Sequence, residues 1–138
     1  PDKERLMALA GPSKNIHFLG MLPHNRVQEL IQDSMVVAVP SLWPENYPYA
    51  VLEGQANGRT VIASPVGGIS EQIQHERTGI LVKPNEPEDL AKWVRKLLND
   101  PQKTNQIGLK AREQTVIRAN PNTHLSQIEK LYSSLISN

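Results

Sequence analysis

Two glutamates, Glu45 and Glu53, stand with seven residues between them in the run Pro-Glu-Asn-Tyr-Pro-Tyr-Ala-Val-Leu-Glu, directly after the apolar stretch Met35 to Val39. An ionised carboxylate accepts hydrogen bonds at both oxygens and can clamp a vicinal diol, the group a ribose or a hexose presents. A strand with one carboxylate on its exit loop and a second on the next helix therefore suits a polyhydroxylated ligand. Spacing alone fits equally well two solvated surface acids, because exposed charges cost a protein little.

Between the two acids, Pro48 suits the first position of a helix, where its missing amide hydrogen has no helical partner to lose. The amides of Tyr49, Ala50 and Val51 then point out of the helix start, where free donors and the helix dipole favour a phosphate. Glu53 follows Pro48 by five residues, or about 7–8 Å along a helix axis. That is close to the length of a diphosphate and part of a ribose.

Further along, Gly67 and Gly68 permit backbone conformations closed to other residues. They serve either the close approach of a ligand or a tight turn into the helix carrying Glu71. Trp43 and Tyr47 flank Glu45; aromatics in such a loop more often pack than wall a site, and packing is the expectation. Histidines 17, 24, 75 and 124 have no metal-ligand spacing and no carboxylates cluster, so no metal is expected.

The elements that must position these residues follow an alternating pattern. Short apolar runs, Ile16–Leu19, Val36–Val39, Thr60–Ala63 and Gly79–Val82, read as buried strands closed by Gly, Pro or Ser. Helical stretches lie between them, at about 24–33, 48–57 and 69–74, preceded by one at 3–10. The clearest helix is 87–98, with Leu90, Val94, Leu97 and Leu98 on one face, acids in its first turn and bases after them. Two closing helices follow, about 102–118 and 123–137, divided by Pro121. The pattern predicts an α/β fold, a Rossmann-like parallel sheet flanked by helices, with its sheet part at about 15–82 and closing helices at about 87–137. In such sheets ligands bind beyond the carboxyl ends of the strands. The loops Gly20–His24, Pro40–Tyr47 and Ser64–Gly68 are the ones that matter.

The chain has 138 residues, one domain by length, and its 15 basic residues against 14 acidic give no electrostatic reason to expect nucleic acid as a partner. Cysteine is absent, which excludes disulfides and a thiolate nucleophile and fits a cytoplasmic location. No apolar run approaches the roughly 20 residues of a membrane helix, so no membrane span is expected. The first residue is Pro1 and no signal segment follows, which leads us to expect a piece of a longer protein. Four strands are also few for a doubly wound domain, and a strand upstream is expected.

Taken in order, Pro40-Ser41, Glu45, Glu53, Ala56-Asn-Gly-Arg-Thr-Val-Ile-Ala63, Gly67-Gly-Ile-Ser-Glu71 and Thr78-Gly-Ile-Leu-Val82 resemble the donor-binding domain of group 1 glycosyltransferases, the retaining enzymes of the GT-B fold. The likeness runs from about residue 15 to 100. It implies an incomplete C-terminal domain of a two-domain protein that transfers a sugar from a nucleotide donor. On that resemblance Glu45 contacts the donor sugar, Glu53 the ribose, and the amides of Tyr49 and Ala50 the diphosphate. Gly20, Met21 and Leu22 hold the base largely through backbone, a plain turn being the alternative, and Gly67 and Gly68 form a possible loop of the site.

The arginine and lysine that such enzymes aim at the leaving diphosphate are expected upstream of Pro1, with the acceptor domain, so these residues alone are expected to be inactive. No cofactor is implied, only the nucleotide sugar as substrate. Peripheral membrane association stays open, and the closing helix, 123–138, is expected to expose apolar surface. Three positions depart from the family's common pattern: Pro48 for glycine, Gly54 for alanine, where it would ease close packing or ligand approach, and Thr60 for proline, expected to be neutral. A sugar-nucleotide epimerase of similar fold and a non-catalytic homologue that binds partners remain as alternatives. A receiver-type module does not fit, because the acidic strand ends it needs are missing.

Overall fold

The computed structural model describes residues 2–136. Three short strands, β1 (Val36–Val39), β2 (Thr60–Ala63) and β3 (Ile80–Leu81), form one parallel sheet in the order β1-β2-β3. The register sets Val36 beside Thr60 and Ile62 beside Ile80. The helices are α1 (Asp2–Ala10), α2 (His24–Asp33), α3 (Tyr49–Ala56), α4 (Ile69–Gln72), α5 (Pro87–Asn99), α6 (Pro101–Arg118) and α7 (Pro121–Ile136).

Successive side chains of β2 point to opposite faces of the sheet, so its fully buried residues supply two cores. On one face Val61 and Ala63 pack with Val51, Ile69 and Ile73, beneath α3 and α4. On the other, Ile62 packs with Ile80, Val82, Leu97 and Ile107, and α5 adds Leu90, Trp93 and Val94 from its apolar stripe. A sheet covered on both faces is what the near-continuous apolar runs predict.

Glycines set the closest approaches. A Cβ added to Gly54 in α3 would stand 2.7 Å from Val61 Cγ2, so the glycine lets this helix lie down on β2, as expected. One on Gly108 in α6 would collide with the carbonyl oxygen of Gly58, in the turn that leads to β2. Thr60, expected to be neutral, instead donates its hydroxyl to the Thr104 carbonyl of α6 at 2.5 Å. Buried Gln55 donates to the carbonyls of Gln72 (3.0 Å) and Thr78 (3.4 Å) and accepts from Thr115 (3.2 Å), tying α3 to α4, to the loop before β3 and to α6.

Several expectations need correction. Ile16–Leu19 is not a strand; it is exposed, and among the described residues no strand lies beside it. Its apolar composition suits a strand, but backbone donors and acceptors form one only where a neighbouring strand takes them up. The described sheet therefore has three strands, not four. Helix α4 stops at Gln72, because Ile73 is extended (φ −121°). Pro121 divides the two closing helices as expected, and it does so by standing at the head of the second; Pro101 likewise begins α6, one residue before the expected start. Pro1, Ser137 and Asn138, the last two expected to close that helix, lie outside the described residues. α7 has no buried residue, and Leu125, Ile128, Leu131, Tyr132 and Leu135 are exposed along it, the apolar surface expected there.

At the foot of β3, Glu76 pairs with Lys96 (3.3 Å) and Lys103 (3.7 Å), while Lys96 lies 4.0 Å from the centre of the Trp93 ring. The hydrogen bond from Lys96, helped by the nearby charges of Lys96, Lys103 and His75, holds the Glu76 carboxyl below its ordinary value. A lowered carboxyl adds stability above its unfolded value and loses it as pH falls through the folded one. Acid titration of stability is expected to be slightly less steep in Glu76→Gln than in the wild type below about pH 4.5; identical acid limbs would refute the pairing.

Candidate functional site

Strand β1 ends at Val39, and the loop beyond it turns back so that the Ser41 hydroxyl donates to Glu45 Oε1 at 3.2 Å. The same loop pairs backbone to backbone with the one that leaves β2. Glu45 and Gly67 form a parallel bridge, and the Gly68 amide donates to the Glu45 carbonyl at 2.6 Å. Gly67 has φ +57°, which favours glycine, and a Cβ on Gly68 would drive far inside contact distance of the Asn46 carbonyl oxygen. Close approach is thus what both glycines serve, and the group approaching is the Glu45 loop itself. They set the height at which this carboxylate stands over the sheet.

Pro48 is the residue before the helix, not its first: with ψ 124° it is extended, and its carbonyl accepts from Val51 (3.2 Å) and Leu52 (3.3 Å). The amide of Val51 is thereby engaged. Those of Tyr49 and Ala50 have no protein acceptor among the described residues, and both residues are exposed. Two donors at a helix start form a ready seat for an anion.

Glu53 lies one turn further on, half-buried, with His24 Nδ1 3.7 Å from its Oε1. That contact is the top rung of a polar ladder between two helices. His24, Gln28 and Gln32 share one face of α2 at a spacing of four; Asn57, which ends α3, donates to Gln28 (2.8 Å) and accepts from Gln32 (3.2 Å). In sequence His24 is a histidine without metal-ligand spacing at the end of the loop Gly20–His24, with nothing in that loop to tie it to Glu53. The signal that could have singled it out is the His-x-x-x-Gln-x-x-x-Gln repeat beside the Glu-x-x-x-Asn of α3.

The loop Gly20–Leu22 runs directly into α2 and so reaches the Glu53 end of the site through His24. Gly20 has φ +69°, Met21 is wholly exposed and Leu22 half-buried. Trp43 (79 % exposed) and Tyr47 (41 %) do not pack as expected, and both remain open beside Glu45. On the α5 side of the sheet a cleft of about 310 Å³, lined in part by Pro40, Leu42, Ser64, Val82 and Leu90, opens at the carboxyl ends of all three strands. The gathered groups are two carboxylates, two free amides and an imidazole, none of them a lysine or arginine. They can hold hydroxyls and seat an anion at a helix start, but supply no permanent cation.

Residues 2–114 match the model of the family described as glycosyl transferases group 1. The chain is 35 % identical over 106 residues to the D-inositol 3-phosphate glycosyltransferase of Nocardia farcinica, covering 77 % of this chain and 23 % of that one. To the enzyme of the same name from Corynebacterium glutamicum it is 32 % identical over 139 residues, which is 100 % of this chain and 33 % of that one. The structure superposes on Anabaena HepE in complex with UDP-glucose with a TM-score of 0.84 at 27 % identity, over 96 % of this chain and 36 % of that one. The chain thus spans between about a quarter and a third of the length of the relatives it matches. With the matching family model, these relatives and the superposition in agreement, the chain belongs to the group 1 glycosyltransferases of the GT-B fold.

Proposed function

We propose that residues 1–138 are the donor-binding domain of a retaining, metal-independent glycosyltransferase that moves a hexosyl group from a nucleoside-diphosphate sugar to an acceptor held by a separate domain. The observation that carries this reading is the order of groups along one helix start: Glu45 before it, the free amides of Tyr49 and Ala50 upon it and Glu53 a turn beyond. Laid along that line, sugar hydroxyls meet Glu45, the diphosphate meets the two amides and the ribose diol meets Glu53. The base then rests on the backbone of Gly20, Met21 and Leu22. HepE, a structural neighbour, is seen with UDP-glucose, which makes that compound the first donor to test.

Transfer breaks the bond from the anomeric carbon to the diphosphate, so positive charge grows on the sugar and negative charge on the leaving group. The site described supplies recognition and two amide donors. Cationic side chains for the leaving diphosphate and the acceptor surface come, on this reading, from outside residues 1–138, which alone bind donor without transferring it. The protein works in the cytoplasm, and no helix among the described residues is long and apolar enough to cross a membrane.

Calorimetric titration of the whole protein with UDP-glucose tests the site. Glu53→Ala removes both acceptors for the ribose diol and is expected to weaken binding by about 2–3 kcal/mol, roughly 30- to 150-fold. An unchanged affinity in that variant would sink the assignment. Anomeric analysis of the product then tests retention.

A further inference from the structure

We infer that Ser41 is a positioning residue of the donor site: its hydroxyl holds one oxygen of Glu45 and thereby aims the rest of that carboxylate at the donor's sugar. The inference rests on the donor-site reading above. It concerns the sugar end of that site alone, because Glu53 and the two amides stand beyond the reach of this bond.

Glu45 is held from two sides. Beneath it, the Gly68 amide donates to its carbonyl and Gly67 bridges to its backbone, which fixes where the residue stands. Neither contact fixes where its side chain points. A glutamate side chain turns about several bonds, and one left free must give up that freedom when a ligand binds. The Ser41 hydroxyl supplies the restraint, donating to Oε1 at 3.2 Å across the loop. Among the described residues no other group hydrogen-bonds this carboxylate.

Proline stiffens the span between the two residues. Pro40 precedes Ser41 and Pro44 precedes Glu45, each with its φ set by the ring, which narrows the shapes this loop can take even before a ligand arrives. Both partners are half-buried, so water competes with the bond only in part. At 3.2 Å the bond is long for a hydroxyl donor, and a sugar that covers it removes the remaining competition. A carboxylate has about four lone-pair sites and one hydroxyl donor takes one of them, so Glu45 keeps room for the hydroxyls of a hexose.

A nucleotide sugar and its free nucleoside diphosphate separate the two ends of the site, since only the first carries a sugar. The probes are UDP-glucose against UDP, with ADP-glucose against ADP as a second pair, titrated into the whole protein. Ser41→Ala is expected to weaken sugar-nucleotide binding about three- to tenfold, the range of one hydrogen bond, and to leave diphosphate affinity and melting temperature at the wild-type values. Ser41→Thr keeps the hydroxyl and should stay near the wild type. In a Glu45→Ala protein no carboxylate is left to hold, so adding Ser41→Ala should cause no further loss.

If Glu45→Ala loses sugar-nucleotide affinity while Ser41→Ala does not, the inference is overturned and the donor site stands. Equal losses from Ser41→Ala with and without Glu45 also overturn it, because the serine then acts by some other route. So does a Ser41→Thr variant as weak as Ser41→Ala, which would trace the loss to loop shape, and so does a parallel loss of diphosphate binding. Failure of the wild type to bind either sugar nucleotide overturns both readings.

Discussion

Gly108→Ala is expected to destabilise the protein by about 1–3 kcal/mol, although alanine is the better helix former. Helix α6 crosses the turn Gly58-Arg59 with no room for a side chain: the new Cβ would strike the Gly58 carbonyl oxygen and sit 2.9 Å and 3.0 Å from the carbonyl carbons of Gly58 and Arg59. Those are backbone atoms, fixed by the Gly58 amide's bond to the Gln55 carbonyl (2.9 Å) and the Arg59 amide's bond to that of Gly54 (2.9 Å). Neither can swing aside as a flexible side chain would. Relief requires moving α6 away from β2, which stretches the Thr60–Thr104 bond and opens the core around Ile62 and Ile107. The alanine recovers about 1 kcal/mol of helix propensity, so the net sign tests which effect wins. Urea titration decides it: a midpoint equal to or above the wild type's contradicts the packing described.

Gly68→Ala should act on the proposed donor site more than on the fold. Its backbone, at φ −68°, accepts alanine without strain, so the whole cost arises where the Cβ meets the Asn46 carbonyl. The Glu45 loop must lift, the 2.6 Å bond from the Gly68 amide to the Glu45 carbonyl breaks, and the carboxylate loses the backbone support beneath it. Donor affinity is expected to fall about tenfold or more, the equivalent of about 1–3 kcal/mol of overpacking released by moving the loop. Global stability should fall less, since that loop contributes little to either core. Wild-type affinity for UDP-glucose in this variant would mean that the glycine pair does not set the height of Glu45.

Both predictions concern glycines whose freedom is visible in the sequence while its purpose is not. Gly67-Gly68 announces an unusual or crowded backbone. Whether a ligand, a turn or another loop comes close depends on a strand pairing some twenty residues away in the chain. Thr60 shows the same limit. Nothing near it predicts a bond to a carbonyl 44 residues later, because that contact exists only once α6 has packed across β2.

The strands divide along the same line. Val36–Val39 and Thr60–Ala63 were legible as strands because each is a short apolar run with helical stretches on either side, and each found a partner. Ile16–Leu19 has the same local character and no partner among the described strands, so it forms no strand and stays exposed. The amphipathic stripe of α5, its acidic start and Pro87 at its head needed no tertiary information, since all three act within one or two turns.

By itself the sequence determined the kinds of element and their alternation, the two carboxylates, the helix start between them and the family likeness, all properties of spacing over a few turns of chain. The tertiary structure decided that Pro48 stands outside the helix, its carbonyl taking up the Val51 amide, and that two loops lock backbone to backbone under Glu45. It also brought His24 to Glu53 across a ladder of side-chain amides. Side-chain pairing and close approach are relations between groups distant in the chain, and only packing brings such groups within reach of one another.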